Sequence, residues 1–476
     1  MKGNARLWED TGYNWVMARL EPASPFGHAL ARAPRWYGPG EEGALAAELS
    51  RVEALRDLLE TAGPALDGIA HILSEFRDIR NSLQRPAGAP MDEVELFEVK
   101  HFLLHLERLA RAYGRVPALE GLEIRPMTGC LDLLDPSGRR LPAFSVENAF
   151  APALEPVRAE KARVEGLLRQ TEGKDRDALM ARRSELVRRE DRLELEARKR
   201  LTEALLRERE TFLASMEAVG RLDLLLAKAR LARRWSCCRP ELTGEARVEA
   251  VDMVHPEVAA HLRERGGSFT PVSLTLERGT TVITGANMGG KSVTVKSLTL
   301  NLLLVHTGFF AFAGAFSTPL FDRVSLISAD RQSVERGLSS FGAEVAALGE
   351  VLREGRGKFF CVALDEFARG TNPREGAALA RALAEYLGRL NCVALMTTHY
   401  DGVSDAARRH YRVAGLGALD TAAIRKGEAP LDRLSRLMDY RLVEAGPGEP
   451  CPRDALRVCR LLELEPELME LFSKNI

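Results

Sequence analysis

The residues with the clearest chemical potential are Gly285-Ala286-Asn287-Met288-Gly289-Gly290-Lys291-Ser292, which fit the spacing GxxxxGK[ST]. Glycines let backbone N–H groups approach phosphate oxygens, and a helix opening at this point adds the positive end of its dipole. Lys291 is then placed to reach β- and γ-phosphates, and the Ser292 hydroxyl to ligate Mg²⁺. An incidental glycine-rich turn would need no strand before it and no helix after it. Here Thr281-Val282-Ile283-Thr284 reads as a buried strand, and a helical pattern follows. A second apolar run, Phe359 to Leu364, ends in Asp365-Glu366. It delivers two carboxylates to the C-terminal edge of a sheet, where open α/β sheets bind ligands. Asp365 suits the outer coordination shell of Mg²⁺, and Glu366 suits the residue that polarises an attacking water. A third run, Val393 to Thr397, leads into Thr397-Thr398-His399-Tyr400. A lone histidine is ordinarily a core residue, but this position after a sheet strand favours a sensor of the γ-phosphate or of water.

Those strands require elements to hold them. After Pro240 the pattern alternates short buried strands with helical or loop segments, an α/β nucleotide-binding architecture. The most apolar stretch, Leu298 to Phe316, is interrupted by Asn301, His306, Gly308 and Gly314. It reads as a buried helix, a turn and a strand, not as a membrane span. After Tyr400 comes a smaller tail, with a break at Gly446-Pro447-Gly448-Glu449-Pro450 before a final helical stretch, Arg453 to Phe472.

Residues 1 to about 150 are mostly helical by pattern, with apolar positions three and four apart from Ala44 to Leu59 and from Val94 to Leu109. From Glu155 to Leu213 the composition becomes densely charged, with Val157, Val164 and Leu168, then Leu179, Leu186 and Leu193, at coiled-coil-like spacing. The break Thr171-Glu172-Gly173-Lys174 predicts two antiparallel helices joined by a tight turn. Arg182-Arg183, Arg188-Arg189 and Arg198-Lys199-Arg200 invite a nucleic-acid reading, yet Glu185, Glu190, Asp191, Glu194 and Glu196 interleave with them. Mixed signs at helical spacing favour a solvated, salt-bridged face, with DNA contact at the hairpin tip as the alternative.

Composition narrows the class. The 476 residues allow roughly three domains. Lysine plus arginine number 67 against 68 acids, a net charge of −1, which argues against a broadly basic nucleic-acid coat but not against a local basic surface. Aromatics at 6% argue against a base-stacking platform. The seven cysteines include no CxxC pair, and adjacent Cys237-Cys238 disfavours an ordinary disulfide, so a reduced, cytoplasmic protein is expected. The N-terminal segment has no apolar signal core. His101 and His105 have the i, i+4 spacing of a helical zinc pair, but Phe102 stands where a catalytic glutamate would be needed and no third ligand is near. They are expected to be core or helix-surface histidines.

Several of these segments resemble the MutS family. Ile283 to Ser292, with its Asn-Met-Gly-Gly, is similar to that family's P-loop. Asp365-Glu366-Phe367-Ala368-Arg369-Gly370-Thr371-Asn372 is similar to its DE-x-x-RGT segment, and Thr397 to Tyr400 to its THY switch. Gly337-Leu338-Ser339-Ser340-Phe341 with Glu344 resembles the signature loop that ABC-type and MutS-type ATPases present to a partner subunit. Upstream, Arg77 to Arg85 and the stretch from Leu222-Asp223-Leu224-Leu225 to Arg239-Pro240 resemble the family's helical core, and Phe269 stands where the family places an aromatic against adenine.

The resemblance implies an α/β P-loop NTPase domain of ABC/MutS type preceded by an all-α core with a helical hairpin. It divides the chain into a helical core at 1–150, a charged hairpin or reduced clamp at 151–215, a core return helix at 216–242, the ATPase at 243–425 and a helical dimerisation tail at 426–476. It implies ATP and Mg²⁺, with Ser292 and Asp365 at the metal. Glu366, His399 and Lys291 would be catalytic, and Gly285 to Ser292 with Phe269 would hold the nucleotide. In a homodimer with composite sites, each subunit would offer its Ser339 or Ser340 to the γ-phosphate of the other.

The chain starts close to a core-like Ser24-Pro25-Phe26-Gly27, without a credible Phe-x-Glu wedge, connector or nuclease-like tail. Two clients therefore stay open. One is DNA structure, as in mismatch-repair relatives. The other is a protein, because the chain also looks similar to the short MutS-like branch that serves as ATPase of a reactivase for cobalamin-dependent lysine 5,6-aminomutase. No membrane is implied.

Overall fold

The apolar runs beside the phosphate loop become strands because their β-branched residues are covered on both faces, the pattern of a parallel sheet. The computed structural model describes residues 4–86, 88–285, 290–328, 340–416, 438–446, 449, 451 and 455–475. It contains β1 (Glu241–Leu242), β2 (Arg247–Met253), β3 (Val272–Glu277), β4 (Gly279–Thr284), β5 (Ala315–Thr318), β6 (Arg323–Ser328), β7 (Phe360–Asp365), β8 (Cys392–Thr398), β9 (Arg409–Gly415) and β10 (Asp439–Glu444). Six of these form one sheet in the order β10-β9-β4-β8-β7-β6, parallel throughout except for antiparallel β10. A second sheet has the order β1-β5-β2-β3. Helices Ser340–Glu354 and Pro373–Gly388 supply Leu348, Val351, Leu383 and Leu387 to a core shared with Val362, Leu364 and Met396 of the large sheet. Leu298 to Phe316 divides between the helix Lys291–His306, a turn and the start of β5. Among the described residues no helix is long and apolar enough to cross a membrane.

The chain divides into two units, Met1–Leu20 with Pro34–Glu53 and Lys228–Ile476, and Glu21–Ala33 with Ala54–Ala227. This differs from sequential boundaries, because early residues satisfy polar groups buried far along the chain. Within the first unit the Tyr13 hydroxyl donates to Thr307 Oγ1 at 3.1 Å. The buried Lys228 ammonium donates to Glu48 Oε1 at 2.9 Å and to the Thr307 carbonyl at 3.2 Å. Residues 439–444 also depart from the expected helical tail, forming β10 at the sheet edge. The final stretch from Arg453 is two helices, Ala455–Leu461 and Pro466–Lys474, because Glu463 takes a left-handed φ of 59° and Pro466 restarts the helix.

Every described element of the second unit is helical. Phe26, Phe76, Phe102 and Phe212 form its aromatic core, with ring centroids 5.3 to 6.2 Å apart. Buried Asp223 accepts from the Ala23 and Ser24 N–H groups and from Ser24 Oγ, at 2.9, 2.6 and 2.6 Å. Ser24 Oγ in turn caps the helix Pro25–Arg32 by accepting from Gly27 N–H at 3.0 Å. A Cβ on Gly27 would lie 2.1 Å from Asp223 Oδ2, so only glycine fits there. The charged segment forms the helices Leu154–Leu168 and Lys174–Arg207, whose apolar seam is Val157, Val164, Leu168 and Leu186 with Leu179 and Leu193 packed against it. The next helix starts at Arg209 and runs to Arg234, earlier than the expected boundary at 216.

Two histidines of the first unit carry a pH dependence. His306 Nδ1 lies 2.7 Å from the Tyr37 carbonyl, its Nε2 accepts from Phe321 N–H at 3.4 Å, and burial pushes its pKa down to about 4. Burial likewise holds His255 at about 4. Both folded values lie below the ordinary 6.5, so the unfolded chain binds more protons in that interval. Stability is therefore full above about pH 6.5 and falls as pH drops towards 4, which thermal melts at pH 7.5 and pH 5.0 will show as a lower Tm at pH 5.0.

Candidate functional site

β4 lies inside the large sheet, between β9 and β8, and all of its residues are buried. The chain leaves it at Gly285, with φ at 154°, where a Cβ would sit 2.9 Å from Val413 Cβ on β9. Gly290 is left-handed at 80°, and a Cβ there would approach the Tyr440 ring to 3.1 Å. Both glycines are thus required by backbone geometry as well as by close neighbours. Ala286, Asn287, Met288 and Gly289 lie outside the described residues. Lys291 opens the helix Lys291–His306 with its side chain 3% exposed, and half-buried Ser292 follows it. The Lys291 ammonium donates to the Gly285 carbonyl at 2.7 Å and lies 3.3 Å from Glu366 Oε1.

β7 ends at Asp365, and Glu366 follows with a left-handed φ of 48°. One hydroxyl on the neighbouring strand orders both carboxylate residues. Thr397 Oγ1 accepts from the Glu366 N–H at 2.9 Å and donates to Asp365 Oδ1 at 2.8 Å. The Arg369 guanidinium donates to Glu366 Oε2 at 2.7 Å. His399 follows β8 at the same sheet edge, exposed, with its ring centroid 4.3 Å from that of Tyr400. Partial withdrawal from water holds its pKa below the ordinary histidine value, against the opposing pull of the Glu366 carboxylate. The ring is therefore neutral at pH 7, able to accept at one nitrogen and donate at the other.

The donor set fits a hard divalent cation. Ser292 and Asp365 offer oxygens, and Asp365 Oδ2 has no partner among the described residues. Among the described residues no group of three or more His, Cys, Asp or Glu could hold a metal by itself.

The structure brings Gly285, Gly290, Lys291, Ser292, Asp365, Glu366 and His399 to one sheet edge. Phe269 lies half-buried in the irregular stretch before β3. Ser339 lies outside the described residues, and Ser340 is placed only as the first residue of the helix Ser340–Glu354. Sequence reasoning quoted Thr397 without giving it a role, although a hydroxyl ending an apolar strand was the available signal. Tyr440 had no such signal, being 150 residues from Gly290 in the chain (440 − 290).

Residues 281–428 match the family model of MutS domain V. Endonuclease MutS2 of Pelotomaculum thermopropionicum is 32% identical over 260 residues, covering 54% of this chain and 30% of that protein. The DNA mismatch repair protein MutS of Anaeromyxobacter sp. is 35% identical over 248 residues, covering 50% of this chain and 27% of its own length. This part of the chain resembles MutS domain V. The aligned part spans about a third or less of the length of these relatives. Within the MutS-type domain the matched residues run from β4 through β9, while β10 completes the sheet from beyond them.

In this MutS-type domain, Thr397→Val keeps the shape of β8 and removes the hydroxyl shared by Asp365 and Glu366. If the site turns over ATP, kcat should fall at least about tenfold, with KM for ATP changed by less than about threefold, because two hydrogen bonds of about 1 kcal/mol each are lost. Steady-state kinetics check this, and an unchanged kcat would remove Thr397 from the site.

Proposed function

We propose that this chain is an ATP-binding and ATP-hydrolysing conformational switch that works as a dimer with composite sites and acts on DNA structure. The observation that carries the reading is the convergence of buried Lys291 with Glu366, 3.3 Å apart, beside Asp365 at the edge of a parallel sheet. Gly285 to Ser292 hold the phosphates, and Lys291 meets the negative charge that they bring. Ser292 and Asp365 would hold Mg²⁺, which when bound neutralises charge on the phosphate oxygens. Glu366 polarises the attacking water and neutral His399 stands near the γ-phosphate. Ser339 or Ser340 would act at the site of the other subunit. ATP favours the closed dimer because its γ-phosphate makes contacts only there, and hydrolysis removes them.

DNA as client is supported by relatives named for DNA mismatch repair and for an endonuclease. In this reading the helical unit corresponds to the MutS core, the helices Leu154–Leu168 and Lys174–Arg207 to a reduced clamp, and the last helices to a dimerisation tail.

A second reading, with a protein as client, is favoured by how the hairpin uses its charge. Arg158 pairs with Glu190 and Glu194 at 2.9 and 2.8 Å, Arg182 with Glu160 at 2.6 Å and Arg183 with Glu165 at 2.8 Å. Cations so engaged are less available to phosphates. An aminomutase of the lysine 5,6 type, or a reactivase subunit, is the protein client that the sequence resemblance names.

The decisive experiment follows ATP turnover of the purified protein with mismatched duplex, branched DNA or inactivated aminomutase added separately. Stimulation by DNA with salt-sensitive affinity supports the first client, and indifference to DNA with stimulation by the protein supports the second. Glu366→Gln should bind ATP within about threefold of the unaltered protein yet hydrolyse it at least about a hundredfold more slowly, the scale of general-base loss. Single-turnover hydrolysis and nucleotide titration measure both, and normal turnover in this variant would show that Glu366 is not the base.

A further inference from the structure

The turn that presents Glu366 has an uncommon backbone. Glu366 and Ala368, two non-glycine residues out of three, are left-handed, with φ at 48° and 66°. Each such residue is strained and persists only where its surroundings over-determine it. Three hydrogen bonds do so here. The Glu366 N–H donates to Thr397 Oγ1 at 2.9 Å, the Ala368 N–H donates to Glu344 Oε2 at 2.9 Å, and the Tyr400 hydroxyl donates to the Ala368 carbonyl at 3.1 Å. Phe367 anchors the turn from within the hydrophobic core. Gly376 leaves room for it, since a Cβ there would lie 2.6 Å from the Tyr400 oxygen and 2.8 Å from the Ala368 carbonyl oxygen.

Glu344 is the unexpected member of this set. It belongs to the helix Ser340–Glu354 and is only 3% exposed. Its second oxygen, Oε1, has no hydrogen-bond partner among the described residues, and burial holds its pKa above the usual carboxylate range. A half-satisfied buried carboxyl is a poor stabilising device, and an apolar side chain of the same volume would cost less. What the carboxyl does supply is an acceptor for a backbone N–H two residues beyond Glu366.

We propose that Glu344 is a positioning residue for ATP hydrolysis, fixing Ala368 so that the turn aims the Glu366 carboxylate at the phosphate edge. This rests on the ATPase reading of the site. Glu344 lies in the second turn of its helix, so a displacement of the helix end at Ser340 reaches the turn after Glu366 through a single hydrogen bond to Ala368. Glu344, which ends the segment resembling the signature loop, thus restrains the turn after Glu366 in its own subunit, in addition to any role that segment has towards a partner.

The test compares Glu344→Met, which keeps the volume and removes the acceptor, with Glu344→Gln, whose amide oxygen can replace it. In Glu344→Met, kcat should fall about tenfold or more with KM for ATP within about twofold, while Glu344→Gln stays within about threefold of the unaltered protein. Because Glu344 acts through Glu366, adding Glu344→Met to Glu366→Gln should lower turnover no further. A purely structural role would instead lower Tm in both backgrounds and cut activity in proportion to folded protein. Normal kcat in Glu344→Met, or a further tenfold loss in the Glu366→Gln background, overturns the proposal. Should Glu344→Met fail to fold, Tyr400→Phe removes the opposite restraint on Ala368 and should lower kcat severalfold at unchanged KM; wild-type kcat there overturns it equally. Absence of turnover in the unaltered protein would overturn the ATPase reading and this inference with it, whereas turnover that is normal in both proteins overturns the inference alone.

Discussion

The ammonium of Lys291 is almost fully buried, and a charge removed from water is tolerable only where partners are supplied. The Gly285 carbonyl and the Glu366 carboxylate supply them, one from each of two strands that are not adjacent in the sheet. That demand propagates outward. Gly285 must lie against Val413 where no side chain fits, and β4 must sit between β9 and β8. Glu366 must turn back in a left-handed conformation held by Thr397. The sheet edge is therefore a mutually constrained assembly in which loosening one partner leaves another charge or N–H unsatisfied.

The second unit solves a related problem without any strand. Asp223 gathers two backbone N–H groups and a hydroxyl from a segment about two hundred residues earlier, so a buried carboxylate is compensated by donors and fixes where Ser24 to Gly27 dock. Lys100 and Asp135 are likewise paired at 3.2 Å in the interior. On the hairpin the same principle works at the surface, where arginines and glutamates of facing helices meet. Such exposed pairs contribute little stability individually, and the apolar seam from Val157 to Leu193 is what holds the two helices together.

Much of the site was legible because its signals are local. A phosphate loop needs its glycines and lysine at fixed offsets, and a strand ending in Asp365-Glu366 needs only an apolar run before the carboxylates. The hairpin was legible for the same reason, since a repeat of about seven residues places Val157, Val164 and Leu168 on one stripe. The final helical stretch is broken at Glu463 and Pro466, a division that apolar periodicity does not mark because it runs on where the backbone does not. Phe269 was placed by analogy of position, and the structure leaves it in the stretch before β3.

The amino-acid sequence by itself displayed the phosphate-loop spacing, the strands beside it and the apolar stripe of the hairpin. In each case the physical cause acts over a few residues or a few turns. Only the tertiary structure decided which distant groups complete them. Tyr13 meets Thr307, Glu48 meets Lys228, Tyr440 borders Gly290, and Glu344 takes the N–H of Ala368. Those pairings follow from burial, which obliges each polar group to find whichever partner the fold brings near, and the separation of such partners along the chain obeys no period that a sequence could display.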